Sequence, residues 1–226
     1  MKKIVLLLLV VLTISSACKK TNVDRYSITN AGIAGNTSAN LVARVDGDVI
    51  SYKPQLVIIL IGTNDALAGA AFSLTNFRSN MVTLITKLQA ANAKVLLLSP
   101  PPYGTDTIGK NDYINNNLDT IASALGALSK QYNCSYYDLH AAVIATGTPN
   151  ATAASLILNA ANSPQKPDGI HFTKPGIAFL AGNVYNFIKA SQLTGCYHIV
   201  CFGDSITVEY GDMSYPLQLQ FLLDNN

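Results

Sequence analysis

Charged side chains are scarce in this sequence, and glutamate is almost absent. Charged residues make up 12% of the 226 residues, the formal net charge is +2, and Glu209 is the only glutamate. A nearly neutral chain without a basic cluster does not favour a nucleic-acid partner. Fixed-period repeats are also lacking, which argues against a solenoid. The length and the 49% hydrophobic content suit one α/β domain with a full-sized core.

The cysteines form neither a CxxC pair nor a cysteine–histidine metal pattern. Beyond the N-terminal segment three remain, Cys134, Cys196 and Cys201, and an odd number leaves at least one thiol free or paired between chains. Cys201 lies in an apolar run and is expected to be a small core residue. A disulfide at Cys134 or Cys196 stays open, because an oxidising compartment would permit one.

Nucleotide-binding patterns are lacking as well. The glycine-rich turn at residues 32–35 has neither the G-x-G-x-x-G pattern nor a P-loop lysine. Asp65, Asp204 and His171 could together bind a metal ion, but the same residue types also serve turns and catalytic triads. The sequence therefore predicts no cofactor and no metal.

Residues 1–17 have the pattern of a secretory signal. A basic start precedes an apolar run of about eleven residues, which is too short to span a bilayer. Cys18 follows, as the lipidated first residue does in a bacterial lipoprotein signal, although Ser15 stands where that pattern prefers leucine. Ordinary cleavage after Ala17 is the alternative. Either way residues 18–226 are expected to be exported, with a lipid anchor at Cys18 as the one membrane contact.

Strand-like and helix-like runs alternate along the rest of the chain. The apolar runs 56–61, 95–98 and 198–202 are typical of strands covered on both faces. Shorter strands are predicted at 25–30 and 135–139, and helices at 37–45, 74–91, 113–132, 175–193 and 215–223. This alternation predicts a three-layer α/β/α domain around a mostly parallel five-stranded sheet.

Polar and glycine-rich segments follow the predicted strands. Ligands bind at the carboxyl ends of parallel strands, so segments 32–35, 62–65, 99–103 and 203–205 are expected to meet at one edge of the sheet. Ser205, on a sharp turn after the last strand, is the candidate nucleophile.

A serine hydroxyl needs a base, and the chain has three histidines. His171 lies in Asp168-Gly-Ile-His171, so Asp168 can orient its ring as in a Ser/His/Asp arrangement. His140 follows a strand end and is an alternative, whereas His198 lies at the wrong end of the sheet. We therefore predict that His171 is the base and Asp168 its partner.

Ester cleavage also needs hydrogen-bond donors for the oxyanion. The backbone amide of Ser205 is one candidate. Gly35 can offer a backbone amide without side-chain obstruction, and Asn64, in Gly62-Thr-Asn-Asp65, can offer its side-chain amide.

Four short blocks together resemble the SGNH (GDSL) hydrolase family. They are Gly203-Asp-Ser205, Asn30-x-Gly-x-x-Gly35, Gly62-Thr-Asn64-Asp65 and Asp168-x-x-His171. The resemblance covers essentially all of residues 18–226 and implies a single hydrolase domain with a flavodoxin-like sheet. It assigns Ser205 as nucleophile, His171 as base, Asp168 as its partner, and Ser205, Gly35 and Asn64 as the oxyanion hole. Asp65 and Asp204 are expected to set turns.

The order of these blocks departs from that of the family, in which the serine block comes first. Here it follows the histidine block, which implies a circular permutation. Joining residues 223–226 to residues 22–26 would restore the usual order. The family's strand order then predicts that the last strand, 198–202, lies between the first, 25–30, and the second, 56–61.

The resemblance implies an esterase, and no large lid accompanies the site, which favours a short acyl group. An exported member of the family is expected to deacetylate polysaccharide, so the predicted partner is a small-molecule or polysaccharide ester. Lysophospholipase, thioesterase and arylesterase activities stay open, as does a catalytically silent surface protein that binds carbohydrate. The oligomeric state is not predicted.

Overall fold

The structure, a computed structural model, describes residues 25–106, 112–209 and 213–225. Within these residues a five-stranded sheet forms the centre of the molecule, and its neighbouring strands all run parallel. The strands are β1 (Ser27–Gly32), β2 (Leu56–Leu60), β3 (Lys94–Leu98), β4 (Ser135–Tyr137) and β5 (His198–Gly203). Their order across the sheet is β1-β5-β2-β3-β4, so the last strand lies between the first and the second, as predicted.

Helices pack on both faces of the sheet. In chain order they are α1 (Ser38–Asp48), α2 (Thr63–Leu67), α3 (Leu74–Ala90), α4 (Asp112–Gln131), α5 (Leu139–Ile144), α6 (Lys174–Ala190), α7 (Ser205–Val208) and α8 (Tyr215–Asn225). The buried side chains of α1, α3 and α4 belong to one core, and those of α5, α6 and α8 to the other. The predicted three-layer α/β/α architecture is therefore confirmed.

The strands divide their side chains between the two cores because successive residues of a strand point to opposite faces. Val57 and Ile59 enter the core under α1, α3 and α4, whereas Ile58 enters the core under α6 and α8. In β5, Phe202 enters the first of these cores and Cys201 enters the second. Both faces of the central strands are thus buried, as their continuous apolar runs indicate.

Helix α8 brings the two ends of the described chain together. The Tyr26 amide donates to Asp224 Oδ1 at 3.1 Å, and the Gln220 side chain donates to the Tyr26 carbonyl at 2.9 Å. Gln220 Oε1 also accepts from the Ile28 amide at 3.2 Å. The last helix is therefore joined to the edge strand β1.

Several element boundaries differ from the sequence prediction. The strand predicted at 135–139 ends at Tyr137, because the Asp138 carboxylate accepts from the Ala141 amide at 3.0 Å and begins α5. Helix α6 ends at Ala190 instead of residue 193. Helices α2, α5 and α7 are short and were predicted as loops or strand ends.

Some sequence predictions concern residues that lie beyond the described part of the chain. The secretory signal at 1–17 and the lipidation site at Cys18 both lie outside the described residues. No helix in the described ranges is long and apolar enough to cross a membrane. Cys134, Cys196 and Cys201 are all free thiols, and Cys201 is fully buried, as expected.

Candidate active site

Close packing of backbone at the carboxyl ends of β1, β2 and β5 creates the turn that carries Ser205. A Cβ atom on Gly203 would lie 2.3 Å from the Leu60 carbonyl oxygen, and one on Gly32 would lie 2.3 Å from the Val208 nitrogen. Only glycine fits at such contacts. The predicted convergence of these strand ends is therefore present, and Ser205 stands at its centre as the first residue of α7.

The predicted nucleophile, base and orienting carboxylate form one hydrogen-bonded series. His171 Nε2 lies 2.8 Å from Ser205 Oγ, and His171 Nδ1 lies 2.7 Å from Asp168 Oδ2. A carboxylate can only accept, so Nδ1 carries the ring proton and Nε2 is left to accept from the serine hydroxyl. This is the tautomer that a general base beside a serine requires.

Asp168 is held in place by its own loop. Its Oδ1 atom accepts from the backbone amides of Ile170 and His171, both at 3.0 Å. This local turn explains why the spacing Asp-x-x-His aligns a carboxylate with a ring. The sequence spacing therefore fixes the geometry of the pair, and the loop itself keeps Oδ2 directed at the imidazole.

The two ionised forms of this pair stabilise each other. Burial alone would raise the pKa of Asp168, but hydrogen bonds from the His171 ring and from the His171 and Ile170 amides lower it to about 2. The hydrogen bond to Asp168 raises the pKa of His171, against the opposing effect of burial. A base that is strengthened in this way is suited to accept a proton during the reaction.

The three predicted oxyanion donors belong to neighbouring turns. The Asn64 side-chain amide donates to the Asn36 carbonyl at 2.9 Å, and its nitrogen lies 3.5 Å from Asp204 Oδ2. Asn64 thus lies between the turn of Gly35 and the turn of Ser205. Gly35 has φ +78°, and a Cβ built there has nothing within 4 Å, so its turn is open on that side.

Asp65 and Asp204, each expected to set a local turn, both accept hydrogen bonds at the start of a helix. Asp65 accepts from the Ser38 hydroxyl at 2.6 Å and from the Ser38 amide, which anchors the start of α1. Asp204 Oδ1 accepts from the Ile206 amide at 2.9 Å and caps α7, while burial raises its pKa to about 7. Within the described residues, no three histidine, cysteine or acidic side chains are grouped so as to hold a metal ion.

The other two histidines lie elsewhere. His140 is buried, with Nδ1 at 3.0 Å from the Pro100 carbonyl and Nε2 at 3.0 Å from Asp119 Oδ1. Both of its ring nitrogens therefore have partners other than a serine hydroxyl. His198 is exposed at the start of β5, and Ser205 follows the other end of the same strand.

Sequence reasoning missed Arg44, a half-buried arginine of α1. Its guanidinium donates to Asn36 Oδ1 at 2.7 Å and to the Gly203 carbonyl at 2.9 Å, and it lies 4.4 Å above the ring of Phe202. Arg44 therefore joins the turn next to Gly35 to the strand end before Ser205. Nothing in the local pattern of α1 distinguishes it from a solvated arginine.

A cavity of about 280 Å³ opens beside Ser205 and His171. Its remaining wall combines apolar and charged side chains: Leu158, Lys166, Phe172, Thr173, Lys174, Ile177, Glu209 and Met213. Glu209 was noted in the sequence only for its rarity. A cavity of this size accepts a small group more readily than a long acyl chain.

Comparison with known proteins identifies relatives of this chain. Residues 15–178 match the GDSL-like lipase/acylhydrolase family, and the match leaves the segment around Ser205 outside it. Esterase TesA of Pseudomonas aeruginosa is 42% identical over 82 residues, which are 35% of this chain and 40% of that protein. An acetylxylan esterase of Geobacillus stearothermophilus is 26% identical over 137 residues, which are 56% of this chain and 61% of that protein. The chain therefore matches less than two thirds of the length of either relative.

The fold is also found among solved structures. The acetyl xylan esterase AlAXEase superposes with a TM-score of 0.56 at 26% identity, over 70% of this chain and 79% of that chain. The family match extends over well more than half of the sequence. This chain therefore belongs to the GDSL-like lipase/acylhydrolase family.

Proposed function

We propose that this protein is a serine esterase that hydrolyses carboxylic esters with a short acyl group. The observation that carries the proposal is the series Asp168–His171–Ser205, with its contacts of 2.7 and 2.8 Å. Nucleophile, base and orienting carboxylate are the parts that a Ser-His-Asp acyl-enzyme mechanism needs, and they are recognised by geometry more than by position in the chain.

In the first half-reaction, His171 Nε2 takes the hydroxyl proton as Ser205 Oγ forms a bond to the acyl carbonyl carbon. The carbonyl oxygen becomes an oxyanion, which the amides of Ser205 and Gly35 and the side chain of Asn64 stabilise. Asp168 stabilises the imidazolium. The intermediate then expels the alcohol, which takes the proton from His171, and leaves an acyl-serine.

In the second half-reaction the same groups act on water. His171 removes a proton from a water molecule, whose oxygen bonds to the acyl carbon. The same donors hold the second oxyanion. Collapse of this intermediate breaks the bond to Ser205 Oγ, the proton returns to the serine, and the carboxylic acid leaves. No step requires a cofactor.

The size and lining of the cavity support an acetyl ester of a carbohydrate as the substrate. A cavity of about 280 Å³ beside Ser205 has room for a short acyl group, and Lys166, Thr173 and Glu209 offer polar contacts to a hydroxylated alcohol. Two similar proteins are named acetylxylan esterases. Lysophospholipase, thioesterase and arylesterase activities, and carbohydrate binding without catalysis, are the alternatives that the assay must separate.

The assay compares wild type with Ser205→Ala on p-nitrophenyl esters of increasing chain length, on an acyl thioester, on lysophospholipid and on acetylated xylan. We expect Ser205-dependent turnover that is fastest on acetyl esters, with acetate released from xylan. A preference for long acyl chains would favour a lysophospholipase. Absence of Ser205-dependent turnover on every ester, with retained binding to xylan, would favour the non-catalytic alternative.

The proposal includes a circular permutation of the family's block order. Two observations support it: β5 lies between β1 and β2, and the Tyr26 amide donates to Asp224 at 3.1 Å, so the segments to be joined are adjacent. A reordered gene, in which residues 197–226 precede residues 22–193 through a short linker, should give a folded protein with the same Ser205-dependent activity. A reordered chain that does not fold would contradict a simple permutation.

Export, with a lipid anchor at Cys18, is also part of the proposal. It is supported by the charge and hydropathy pattern of residues 1–17. Labelled palmitate should be incorporated by the full chain and not by Cys18→Ala when both are expressed in a bacterium that processes lipoproteins. Secretion of unlabelled wild-type protein would favour ordinary cleavage after Ala17.

A further inference from the structure

Glu209 lies directly after the helix that begins with the proposed nucleophile. Its backbone amide donates to the Ser205 carbonyl at 3.1 Å, so its position depends on that of the serine turn. Its side chain is half-buried and lines the same cavity as Ser205 and His171. The one glutamate of the chain is therefore part of the wall at which ester cleavage would occur.

Charged groups of both signs surround His171. From its own loop it faces Asp168, which is bonded to Nδ1, and Lys166. From the serine segment it faces Asp204 and Glu209. Lys174, at the start of α6, lines the same cavity. Of these groups, Glu209, Lys166 and Lys174 line the cavity, whereas the carboxylates of Asp168 and Asp204 accept from backbone amides of their own turns.

We propose that Glu209 is a positioning residue of the proposed esterase: its carboxylate, held beside His171 by the serine segment, adds a second negative charge that stabilises the imidazolium, and Lys166 opposes it. This inference rests on the proposed function. The inference predicts a change in the pKa of His171, and that pKa can be measured in a protein that shows no turnover.

The ionisation of Glu209 and that of His171 affect each other. Burial is the main cause that raises the pKa of Glu209 to about 7, while attraction to His171 and contact with the Phe172 amide act in the opposite direction. The charge of Glu209 in turn raises the pKa of His171, as a smaller addition to the hydrogen bond that His171 donates to Asp168, whereas Lys166 lowers it. The charge on each group therefore favours the charged form of the other.

A stronger base accepts the serine proton more readily, but it becomes available only at higher pH. Removing the charge of Glu209 should therefore raise activity at low pH and lower it at high pH. The acid limb of the kcat/KM profile should move to lower pH, because neutral His171 persists further into acid. The plateau above that limb should fall, because the imidazolium in the transition state loses part of its stabilisation.

The test uses Glu209→Gln, which keeps the shape and an acceptor for the Phe172 amide, and Lys166→Gln as the change of opposite sign. The three histidines of the chain are followed by NMR titration in the folded protein, with His171 assigned from His171→Gln. We expect the His171 midpoint to fall by about 0.3–1 pH units in Glu209→Gln and to rise in Lys166→Gln. His140 and His198 serve as internal references.

The kinetic arm measures kcat/KM against pH on p-nitrophenyl acetate for the same variants. We expect the acid limb to follow the NMR midpoint, and the plateau of Glu209→Gln to fall about two- to tenfold. A His171 midpoint that moves by less than about 0.2 pH units in both variants would overturn the inference, even with the esterase intact. A midpoint that moves as expected, in a protein without Ser205-dependent turnover, would instead overturn the proposed function alone.

Discussion

Two histidine–aspartate pairs are present among the described residues, and they resemble each other until the second ring nitrogen is considered. In one pair His171 Nδ1 lies 2.7 Å from Asp168, and in the other His140 Nε2 lies 3.0 Å from Asp119. The remaining nitrogen of His171 meets the Ser205 hydroxyl at 2.8 Å, whereas that of His140 meets the Pro100 carbonyl at 3.0 Å. A carbonyl has no proton to give, so the second pair cannot activate a nucleophile in this arrangement.

The two histidines also differ in how exposed their side chains are. The His140 side chain is 6% exposed and its amide donates to the Ser99 hydroxyl, so it joins the end of β3 to the start of α5. The His171 side chain is 25% exposed and lines a cavity together with Ser205. His140 and Asp119 also line a cavity, but neither ring nitrogen of His140 has a hydroxyl partner there. A histidine–carboxylate contact is therefore informative about catalysis only together with the third group.

Replacing each histidine by alanine is the sharpest test of this contrast. His171→Ala should lower kcat at least about 10⁴-fold on p-nitrophenyl acetate in a protein that still folds, because the serine loses its base. His140→Ala should keep kcat within a few-fold but lower the free energy of unfolding by about 1–3 kcal/mol, since the buried Pro100 carbonyl loses its hydrogen bond. Equal activity losses in the two variants would remove the distinction between the pairs.

The carboxylates should differ in the same way. Asp168→Asn should reduce kcat about 10³–10⁴-fold, because an amide can favour the wrong ring tautomer and no longer stabilises the imidazolium. Asp119→Asn is the matched control, since the Asp119 side chain is 64% exposed and lies beside the other histidine. It should leave kcat unchanged. A comparable loss of kcat in both asparagine variants would contradict the assignment of Asp168 as the partner of the base.

The features that could be predicted from the sequence are those with local signatures. The buried strands follow from apolar runs such as 198–202, and the Asp168–His171 contact follows from a turn that the segment forms by itself. Once the sheet is recognised as parallel, strand ends must share an edge. That rule places Ser205 near residues far from it in the chain.

Features that depend on distant contacts could not be predicted. Arg44 is important because it donates to the Gly203 carbonyl at 2.9 Å, a partner 159 residues away. Glu209 borders the cavity only because α7 follows β5, an inner strand that lies between β1 and β2. The short helices α2 and α7 are too brief for a periodic pattern, and α7 is capped by Asp204, which had been assigned to a turn.

Two asparagine side chains can be compared in the same way, with a smaller expected effect on kcat. Asn64 and Asn117 both donate to backbone carbonyls, but only Asn64 lies between the Gly35 turn and the Ser205 turn. Asn64→Ala should lower kcat about 10²–10³-fold with little change in KM, because an oxyanion donor acts mainly in the transition state. Asn117→Ala should affect the melting temperature more than kcat. Unaltered kcat in Asn64→Ala would exclude it from the oxyanion hole.

The smallest expected effect is on stability. The acids around His171 should affect the pH dependence of stability in opposite directions, according to whether folding raises or lowers their pKa. Burial is the main cause that raises the pKa of Asp204 and of Glu209 to about 7 from ordinary values of 3.8 and 4.5. A carboxyl whose pKa is raised by folding contributes stability that is present below its unfolded pKa and is lost as the pH rises through about 7. The raised pKa of His171 has the same consequence. Hydrogen bonds to Asp168, which outweigh its burial, lower its pKa to about 2, so its contribution is lost only as the pH falls from about 4 to about 2.

Stability should therefore be greatest between about pH 4 and 5, on the acid side of the range in which His171 can act as a base. We expect the melting temperature to rise by about 3–6 °C as the pH falls from 8 to 5 at constant ionic strength. Asp204→Asn keeps a side-chain oxygen for the Ile206 amide that Asp204 now caps, and it removes the buried charge, so it should flatten this slope. A melting temperature that does not change between pH 5 and 8 in wild type would show that these acids carry no such cost. The slope measures how much stability the fold loses by keeping ionisable groups around His171 and Ser205.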